Sequence, residues 1–276
     1  MIVRKDKLGN WMMTIVITIL GLIMIVPFIW MFLSAFKPPE EIMRVIPTFF
    51  PEQPTLKAFR EIFTLFPFSL YLRNSIIVSV TISCAVLFTS SLLGYCFAKF
   101  QFFGKDTLFL LIIIMMILPF EIMVVPLFIV MSSLGMVNTL TGLIIPFIVE
   151  PFGIFLCTQF LKGIPSDLID AARIDGLSEW GVYLRIIVPL MKPALSVLFF
   201  FAFLFQWGFV LWPLVMASSD KVKTVALGIT ELQTQRGFVY HQTLAAAVLT
   251  ITPLLIVFFF VRRGIVRGLV LTGMKI

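Results

Sequence analysis

Charged residues are scarce in this chain. Of its 276 residues, 13% are Asp, Glu, Lys or Arg, whereas 60% are hydrophobic and 31 are phenylalanine. Soluble domains contain about 25% charged residues. So little charge excludes an ordinary soluble globular domain and indicates a chain whose solvent is largely lipid.

Histidine and cysteine are also sparse. The single histidine, His241, has no cysteine or carboxylate cluster near it in the sequence, so a structural or incidental role is favoured over a metal site. Cys84, Cys96 and Cys157 all lie in apolar stretches, which argues against a disulfide framework. We therefore expect no metal ion and no cofactor in this chain.

A nucleotide-binding loop is missing too. Residues 104–106 read Gly-Lys-Asp, without the upstream glycine or the following Ser or Thr of a P-loop. We expect no ATP binding and no catalytic residue here. The net charge of +7 comes from short basic clusters between apolar runs, which fits membrane topology better than nucleic-acid binding.

Long uncharged runs predict six membrane-spanning helices, because a helix needs about 20 apolar residues to cross the hydrocarbon. The first run is too long for a signal peptide and has no cleavage site, so we predict a retained span. The spans lie at about 11–36, 72–98, 107–131, 139–160, 193–217 and 242–261.

The distribution of Lys and Arg predicts the orientation. With both termini in the cytoplasm, the inner segments hold 13 basic residues and the outer segments 8. This places an external loop at 37–70 and a cytoplasmic loop at 162–192. The predicted fold class is an all-α membrane protein with six transmembrane helices and a cytoplasmic helix–turn–helix between spans four and five.

The cytoplasmic loop carries the clearest local signals. Ser166 is suited to the N-cap of a helix, and Gly176 is placed to end that helix in a left-handed conformation. Ser178 then begins a second short helix. Helical spacing puts four apolar residues on one face of that second helix: Trp180, Tyr183, Leu184 and Ile187.

Two surfaces suit such a helix pair, a protein partner or lipid headgroups. The small residues Ala171 and Ala172 would allow a partner to approach the backbone, and Trp180 and Tyr183 would anchor it. An interfacial helix pair lying on lipid has the same amphipathic pattern. Four acids favour the protein partner over an anionic membrane surface: Asp167, Asp170, Asp175 and Glu179.

The loop resembles the Glu-Ala-Ala motif of permease subunits in binding-protein-dependent ABC importers. That motif is Glu-Ala-Ala, three residues, Gly, nine residues and Ile-x-Leu-Pro; here residues 170–172, Gly176 and 186–189 match it, with Asp for Glu and Val for Leu. Stretches at 94–105, 125–139, 155–160 and 211–214 are similar to maltose-type sugar permeases. Gly208, where that family has Asn, and the ending at 272–276 depart from it.

The resemblance implies a transport subunit, not an enzyme, that forms half of a translocation pathway in the cytoplasmic (inner) membrane of a prokaryote. It implies four kinds of partner: a second homologous permease, two ATPase subunits that hold ATP and Mg, an extracytoplasmic solute-binding protein and a small-molecule substrate. The residues implied in ATPase coupling are Asp170, Ala171, Ala172, Arg173, Asp175, Gly176, Trp180, Tyr183 and Pro189.

Candidate substrate contacts are polar or aromatic residues within the spans. Intramembrane acids are functional hypotheses by default, but Glu121 and Glu150 adjoin prolines, and repair of a helix break is the favoured role for both. Aromatic rings can pack against the C–H faces of a sugar, and amide groups can form hydrogen bonds with its hydroxyls. An ordinary apolar span or an interfacial aromatic belt explains the presence of these residues equally well. The candidates are Asn74, Glu121, Gln206, Trp207 and Trp212.

The external segment 220–241 is either a solvated connector or a contact for the binding protein. The resemblance favours contact, with Gln233, Gln235 and Arg236 as candidates.

The expected function is import of a sugar, oligosaccharide or related polyol. Within the family, a glycerol-phosphate-type, amino-acid or other small polar solute is the alternative. An ion-coupled secondary transporter and a non-transport membrane scaffold stay open as other classes, although no clear internal repeat supports the former.

Overall fold

The chain is all-helical. A computed structural model describes residues 7–236 and 239–273, and no β-strand occurs within these two ranges. The first helices are α1 (Lys7–Ser34), α2 (Pro39–Ile42), α3 (Lys57–Leu65), α4 (Phe68–Lys99), α5 (Lys105–Ile117), α6 (Phe120–Ser133) and α7 (Leu140–Ile144), which a 3-10 turn (Ile145–Phe147) extends. The remaining elements are α8 (Pro151–Lys162), α9 (Asp167–Ile174), α10 (Glu179–Val182), a π-helical turn (Tyr183–Ile187), α11 (Val188–Leu190), α12 (Lys192–Gly208), α13 (Leu211–Met216), α14 (Val225–Arg236) and α15 (Tyr240–Gly273).

These elements form two compact units. One contains the chain up to Pro67 together with Glu231–Thr252, and the other contains Phe68–Thr230 together with the chain from Pro253.

Four helical segments are long and apolar enough to cross a membrane: Trp11–Ser34, Phe68–Lys99, Leu140–Lys162 and Tyr240–Gly264. Two further pairs qualify if each bent pair is one span. Helices α5 and α6 meet at 105°, and Glu179–Leu190 meets α12 at 77°. The described residues thus contain four to six candidate spans, which fits a membrane permease.

Prolines mark the breaks within the apolar stretches. Pro119 lies between α5 and α6, Pro146 lies in the 3-10 turn, and Pro151 opens α8. Proline lacks the N–H needed inside a helix, and its ring restricts the residue before it. The stretch predicted as one span at 107–131 is therefore two helices at a steep angle.

Helix α4 is the centre of the second unit, with α8 and α12 packed against it. A Cβ atom on Gly94 of α4 would lie 2.5 Å from the Cβ of Cys157, and one on Gly153 of α8 would lie 2.3 Å from the Ser90 hydroxyl. Real Cβ atoms do not come this close, so α4 and α8 can touch at Gly94 only because it is glycine, whereas at Gly153 the Ser90 hydroxyl would have to rotate away.

In the first unit, the buried carboxylate of Glu41 organises the segment between α1 and α3. Its Oε1 accepts a hydrogen bond from the Thr48 hydroxyl at 2.6 Å, and both its oxygens lie 3.2 Å from the backbone nitrogen of Glu52. The Lys37 ammonium donates to the Thr48 carbonyl. These hydrogen bonds fix the conformation of the segment between α1 and α3, which contains only the short helix α2.

Candidate functional site

The segment between α8 and α12 is a compact pair of short helices joined at Gly176. Gly176 has φ +84°, the left-handed conformation that glycine adopts without a Cβ penalty. Its N–H donates to the Arg173 carbonyl at 3.0 Å, and the Leu177 N–H donates to the Ala172 carbonyl at 3.1 Å, which closes the end of α9. The predicted glycine stop is confirmed.

The two serines of this segment behave differently. The Ser178 hydroxyl accepts from the Gly181 N–H at 3.2 Å, as predicted for the N-cap of α10. Ser166 occupies the N-cap position of α9 but makes no side-chain cap bond there. Its hydroxyl instead lies 3.4 Å from the Lys99 ammonium. The capping bond predicted for Ser166 is therefore wrong.

A widened turn follows α10 because of Pro189. The π-helical turn Tyr183–Ile187 precedes α11, and Pro189 is in the first turn of α11. Pro189 has no N–H to donate to the carbonyl of Arg185 four residues earlier, and its ring would crowd that oxygen. One turn of π-helix makes room for the ring.

Arg173 connects the two short helices through ion pairs. Its Nη1 donates to Asp170 Oδ1 at 2.9 Å within α9, and its Nε donates to Glu179 Oε1 at 2.7 Å at the start of α10. The pKa of Arg173 is raised, chiefly by the hydrogen bond to Glu179, so the guanidinium stays charged.

The same carboxylate attaches the segment to α4. The Tyr95 hydroxyl donates to Glu179 Oε2 at 3.0 Å. Nearby, the Tyr183 and Ser91 hydroxyls share a hydrogen bond of 2.7 Å, and the Lys99 ammonium donates to the Ile164 carbonyl. Helix α4 thus holds the segment through three side chains spaced along its C-terminal turns.

The segment has an inner and an outer surface. Residues packed inward are Ile169, Ala172, Val182, Tyr183 and Ile187. Exposed apolar residues are Leu168, Ala171, Ile174, Trp180 and Leu184. The predicted single face of α10 is therefore divided, because Tyr183 and Ile187 pack against the chain's own core, whereas Trp180 and Leu184 point away from it. Asp175, Gly176 and Pro189 are exposed too.

Gln206 lines a cavity of about 240 Å³ in the second unit. Three helix interruptions surround it: residues from the α5–α6 break, from the turn before α8, and from the last turn of α12. The lining is mostly apolar, and its two polar side chains among the described residues are Glu150 and Gln206.

The other predicted pathway residues lie elsewhere. Asn74 is fully buried, and its amide donates to the carbonyls of Lys221 and Lys223 at 2.9 and 3.0 Å. Trp207 stacks on Phe203 with ring centroids 5.3 Å apart. Glu121 is exposed in the first turn of α6. The structure does not bring these three residues together with Gln206.

Trp212 does not line the cavity but packs against residues that do. Its indole N–H donates to the Gly142 carbonyl at 3.1 Å. Its ring packs edge-on against Phe120 and Phe147, which line the cavity. A role in shaping the wall is therefore better supported for Trp212 than direct contact.

Glu150 does not repair the helix break beside it. It occupies the N-cap position of α8 but makes no side-chain cap bond, and its Oε2 is buried without a hydrogen-bond partner among the described residues. The sequence signal was available, since an acid followed by proline interrupts an apolar run, but its interpretation as a helix-break repair is not supported by this geometry.

The candidates for binding-protein contact lie at the end of α14. Gln233 is half-buried. The side chains of Gln235 and Arg236 lie outside the described residues.

His241 has a partner that sequence spacing did not indicate. Its Nε2 lies 2.8 Å from Glu61 Oε2, which also accepts from the Gln242 amide at 2.8 Å. The pKa of Glu61 is lowered, mainly by the Gln242 bond and further by the His241 bond, against the effect of burial. Within the described residues, no cluster of potential metal ligands is found.

Comparison with known proteins assigns the family. Residues 90–270 match the family described as binding-protein-dependent transport system inner membrane component. The chain is similar to the arabinooligosaccharides transport system permease protein AraQ of Halalkalibacterium halodurans, with 38% identity covering 99% of both chains. It is also similar to the sn-glycerol-3-phosphate transport system permease protein UgpE of Yersinia enterocolitica, with 33% identity over 74% of this chain and 73% of that one.

A solved structure shares the fold. The crystal structure of a bacterial ABC transporter involved in the import of the acidic polysaccharide alginate contains a chain with a TM-score of 0.79 and 19% identity, which covers 95% of this chain and 98% of its own length. The resemblance drawn from the loop motif is confirmed by these matches. The chain therefore belongs to the family of binding-protein-dependent transport system inner membrane components, the membrane-spanning permeases of ABC transporters.

Proposed function

We propose that this chain forms half of the translocation pathway of an importer for a sugar, an oligosaccharide or a related polyol. A second, homologous permease supplies the other half, and an extracytoplasmic solute-binding protein delivers the substrate. Two separate ATPase subunits bind ATP and Mg. Both termini and the segment from α9 to α11 face the cytoplasm, in the cytoplasmic membrane of a prokaryote.

The observation that carries the proposal is the two-sided construction of that segment. Its inner side is fixed to α4 through the Tyr95–Glu179 and Tyr183–Ser91 bonds. Its outer side presents apolar residues that nothing in the described chain covers, with Trp180 57% and Ile174 86% exposed. A rigidly attached apolar surface suits a protein partner, because the partner's movement is then passed to α4.

The acids of the segment support a protein partner over lipid headgroups. Asp167 and Asp175 are exposed beside the apolar residues, and anionic lipid would repel them. This favours a groove on an ATPase subunit as the binding surface.

The carbohydrate assignment is supported by the relative AraQ, which transports arabino-oligosaccharides according to its name. The similarity to UgpE favours one alternative, a glycerol-phosphate-type solute. Binding assays on the solute-binding protein that functions with this permease separate the two, using arabinotriose and sn-glycerol 3-phosphate as probes.

Coupling is tested by expressing the chain with its ATPase and second permease. Gly176→Pro and Trp180→Ala are each expected to reduce ATPase association and substrate uptake. Phe103→Ala is the matched control, because Phe103 is a fully exposed aromatic residue in the turn between α4 and α5. Undiminished association in Gly176→Pro and Trp180→Ala would contradict the coupling role.

A further inference from the structure

The segment between α1 and α3 is a closed loop. The Thr55 N–H donates to the Phe36 carbonyl at 2.8 Å, so the chain leaves α1 and returns to the end of that helix before α3 begins. Within the loop, Arg44 Nη1 and Glu52 Oε1 form an ion pair at 2.8 Å, with about half of each side chain exposed. This pair joins the two ends of an uncharged stretch, residues 45–51, which we call the apolar tip.

The apolar tip exposes large hydrophobic side chains. Val45 is 99% exposed, Ile46 81% and Phe50 69%. Single exposed apolar residues are normal on a protein surface, whereas a contiguous group of them marks a contact with another protein or with a membrane. The tip is therefore a contact surface and not a solvated turn.

The polar groups of the loop point inward, away from the tip. Lys37 and Glu41 are both buried. The Thr48 hydroxyl donates to Glu41 Oε1, and the Thr48 carbonyl accepts from the Lys37 ammonium. Pro47 and Pro51 have no N–H, which leaves the tip with two fewer backbone donors to satisfy. Groups that are already paired inside the loop do not have to lose water when its apolar side meets lipid.

Phe49 shows which way the tip turns. It lines an open groove together with four residues of α1: Ile23, Val26, Pro27 and Trp30. Ile23 lies eleven residues before the end of α1, about 16 Å along the helix axis. Phe49 therefore lies beside the last turns of α1 and not beyond the end of that helix.

Lipid is the contact that this surface favours. Among the described residues, none of the most apolar 18 in the candidate span Trp11–Ser34 is buried, so the groove and the tip continue a surface that is itself suited to lipid. Trp30 lies near the end of that span, where tryptophan marks the interface between headgroups and acyl chains. The Arg44–Glu52 ion pair at the base of the tip suits the headgroup layer, because interfacial segments combine an apolar side with a charged one.

We propose that the apolar tip inserts into the membrane interface beside α1 and contacts the acyl chains of the outer leaflet. Val45, Ile46 and Phe50 make the lipid contact, while Arg44 and Glu52 stay among the headgroups. The loop is then a second membrane anchor, which fixes the depth of the end of α1 from which the chain continues towards α3. Part of the external loop predicted at 37–70 is accordingly bound to the membrane.

The test uses the complete transporter, with its second permease and ATPase subunits, in vesicles of phosphatidylethanolamine and phosphatidylglycerol. A genetically encoded diazirine amino acid replaces Ile46 in one sample and Leu56 in the matched control. Leu56 is also an exposed aliphatic residue of this segment, but it lines a pocket with Lys57, Arg60 and Glu61. After illumination, mass spectrometry identifies whether each label has reacted with lipid, protein or water.

The ratio of lipid adducts to water adducts should be about tenfold or more higher at position 46 than at position 56, because a label among acyl chains meets little water. A fluorescent amino acid at position 46 should be quenched more by phospholipid with a nitroxide near the headgroup than by phospholipid with a nitroxide at the end of the acyl chain, because an interfacial segment enters only about 5–10 Å. If the transporter does not assemble with a label at Ile46, the same labels at Phe50 give the same two readings.

Predominant adducts with the second permease at position 46 overturn the proposal and assign the tip to a contact between subunits. Predominant water adducts overturn it as well. Equal lipid-to-water ratios at positions 46 and 56 would also overturn it, since the contact would not be specific to the tip. None of these outcomes depends on which solute is transported, so a failure here leaves the proposed function intact.

Discussion

The Tyr95 hydroxyl donates a hydrogen bond to Glu179 Oε2 over 3.0 Å, across 84 residues of sequence. Tyr95 is one turn from the end of α4, and Glu179 is the first residue of α10. Glu179 simultaneously accepts from Arg173 of α9. One carboxylate therefore joins both short helices to the helix at the centre of the second unit.

Removing the Tyr95 hydroxyl tests this connection. Tyr95→Phe should lower the free energy of unfolding in mixed micelles by about 1 kcal/mol, the usual net value of one hydrogen bond. It should also lower the amount of substrate transported per ATP hydrolysed, because the α9–α10 pair moves more freely against α4.

A double-mutant cycle with Glu179→Ala isolates the interaction, because alanine leaves no side-chain acceptor for the Tyr95 hydroxyl. The effect of Tyr95→Phe should shrink markedly when Glu179 is already replaced. Additive effects of the two changes would show that the hydroxyl and the carboxylate do not interact.

Gly176 permits a test of backbone strain alone. A Cβ at this position meets no atom within 4 Å, so Gly176→Ala adds no steric contact and its cost comes from the φ of +84°. The expected loss is about 1–2 kcal/mol in unfolding free energy. Gly176→Asn should lose less, since asparagine tolerates the left-handed region better. Equal losses for Ala and Asn would contradict this explanation.

Gly94 permits a test of close packing between helices, without a contribution from backbone strain. Gly94→Ala should destabilise the contact of α4 with α8 by about 1–3 kcal/mol, because the new Cβ would lie 2.5 Å from Cys157 Cβ. The control is Gly21→Ala on α1, where nothing lies within 4 Å of the added atom. Thermal unfolding in detergent compares the two, and a similar shift for both would be inconsistent with tight packing at Gly94.

Acid should loosen the segment after α13 through Asp220. The pKa of Asp220 is lowered from the usual 3.8, first by the hydrogen bond from the Tyr71 hydroxyl and then by that from Lys223. A lowered folded-state pKa gives stability that is complete above the unfolded value and is lost as the pH falls through the folded value. The protection of residues 219–224 from hydrogen exchange, measured against an unstructured chain at the same pH, should therefore fall only below about pH 4.

Asp220→Asn is the control for this pH effect. It cannot titrate, so the acid-induced loss of exchange protection at 219–224 should largely disappear. A full acid response in Asp220→Asn would assign the effect to another group.

Local signals in the sequence were sufficient for the turn between α9 and α10. Gly176 and Ser178 act on backbone groups within four residues of themselves, so their effects follow from residue type and spacing. The apolar runs likewise predicted helices of membrane-spanning length. These inferences need no knowledge of what the rest of the chain does.

Long-range pairings could not be predicted in the same way. Tyr95 is hydrogen-bonded to Glu179, and Glu61 is hydrogen-bonded to His241 across 180 residues of sequence. Both pairs result from the packing of helices and not from any period in the sequence. The division of α10 into buried and exposed apolar residues has the same cause. A helical period shows which residues share a face, whereas the neighbouring helices decide which part of that face is covered.

The unbroken course of α4 has a mechanical consequence. Its 32 residues contain no proline and span about 48 Å as one rod. Tyr71 and Asn74 near its start hold residues 220–223, while Tyr95 near its end holds Glu179. We therefore expect a displacement of Glu179 to be transmitted along α4 to residues 220–223, and a displacement of those residues to be transmitted back to Glu179.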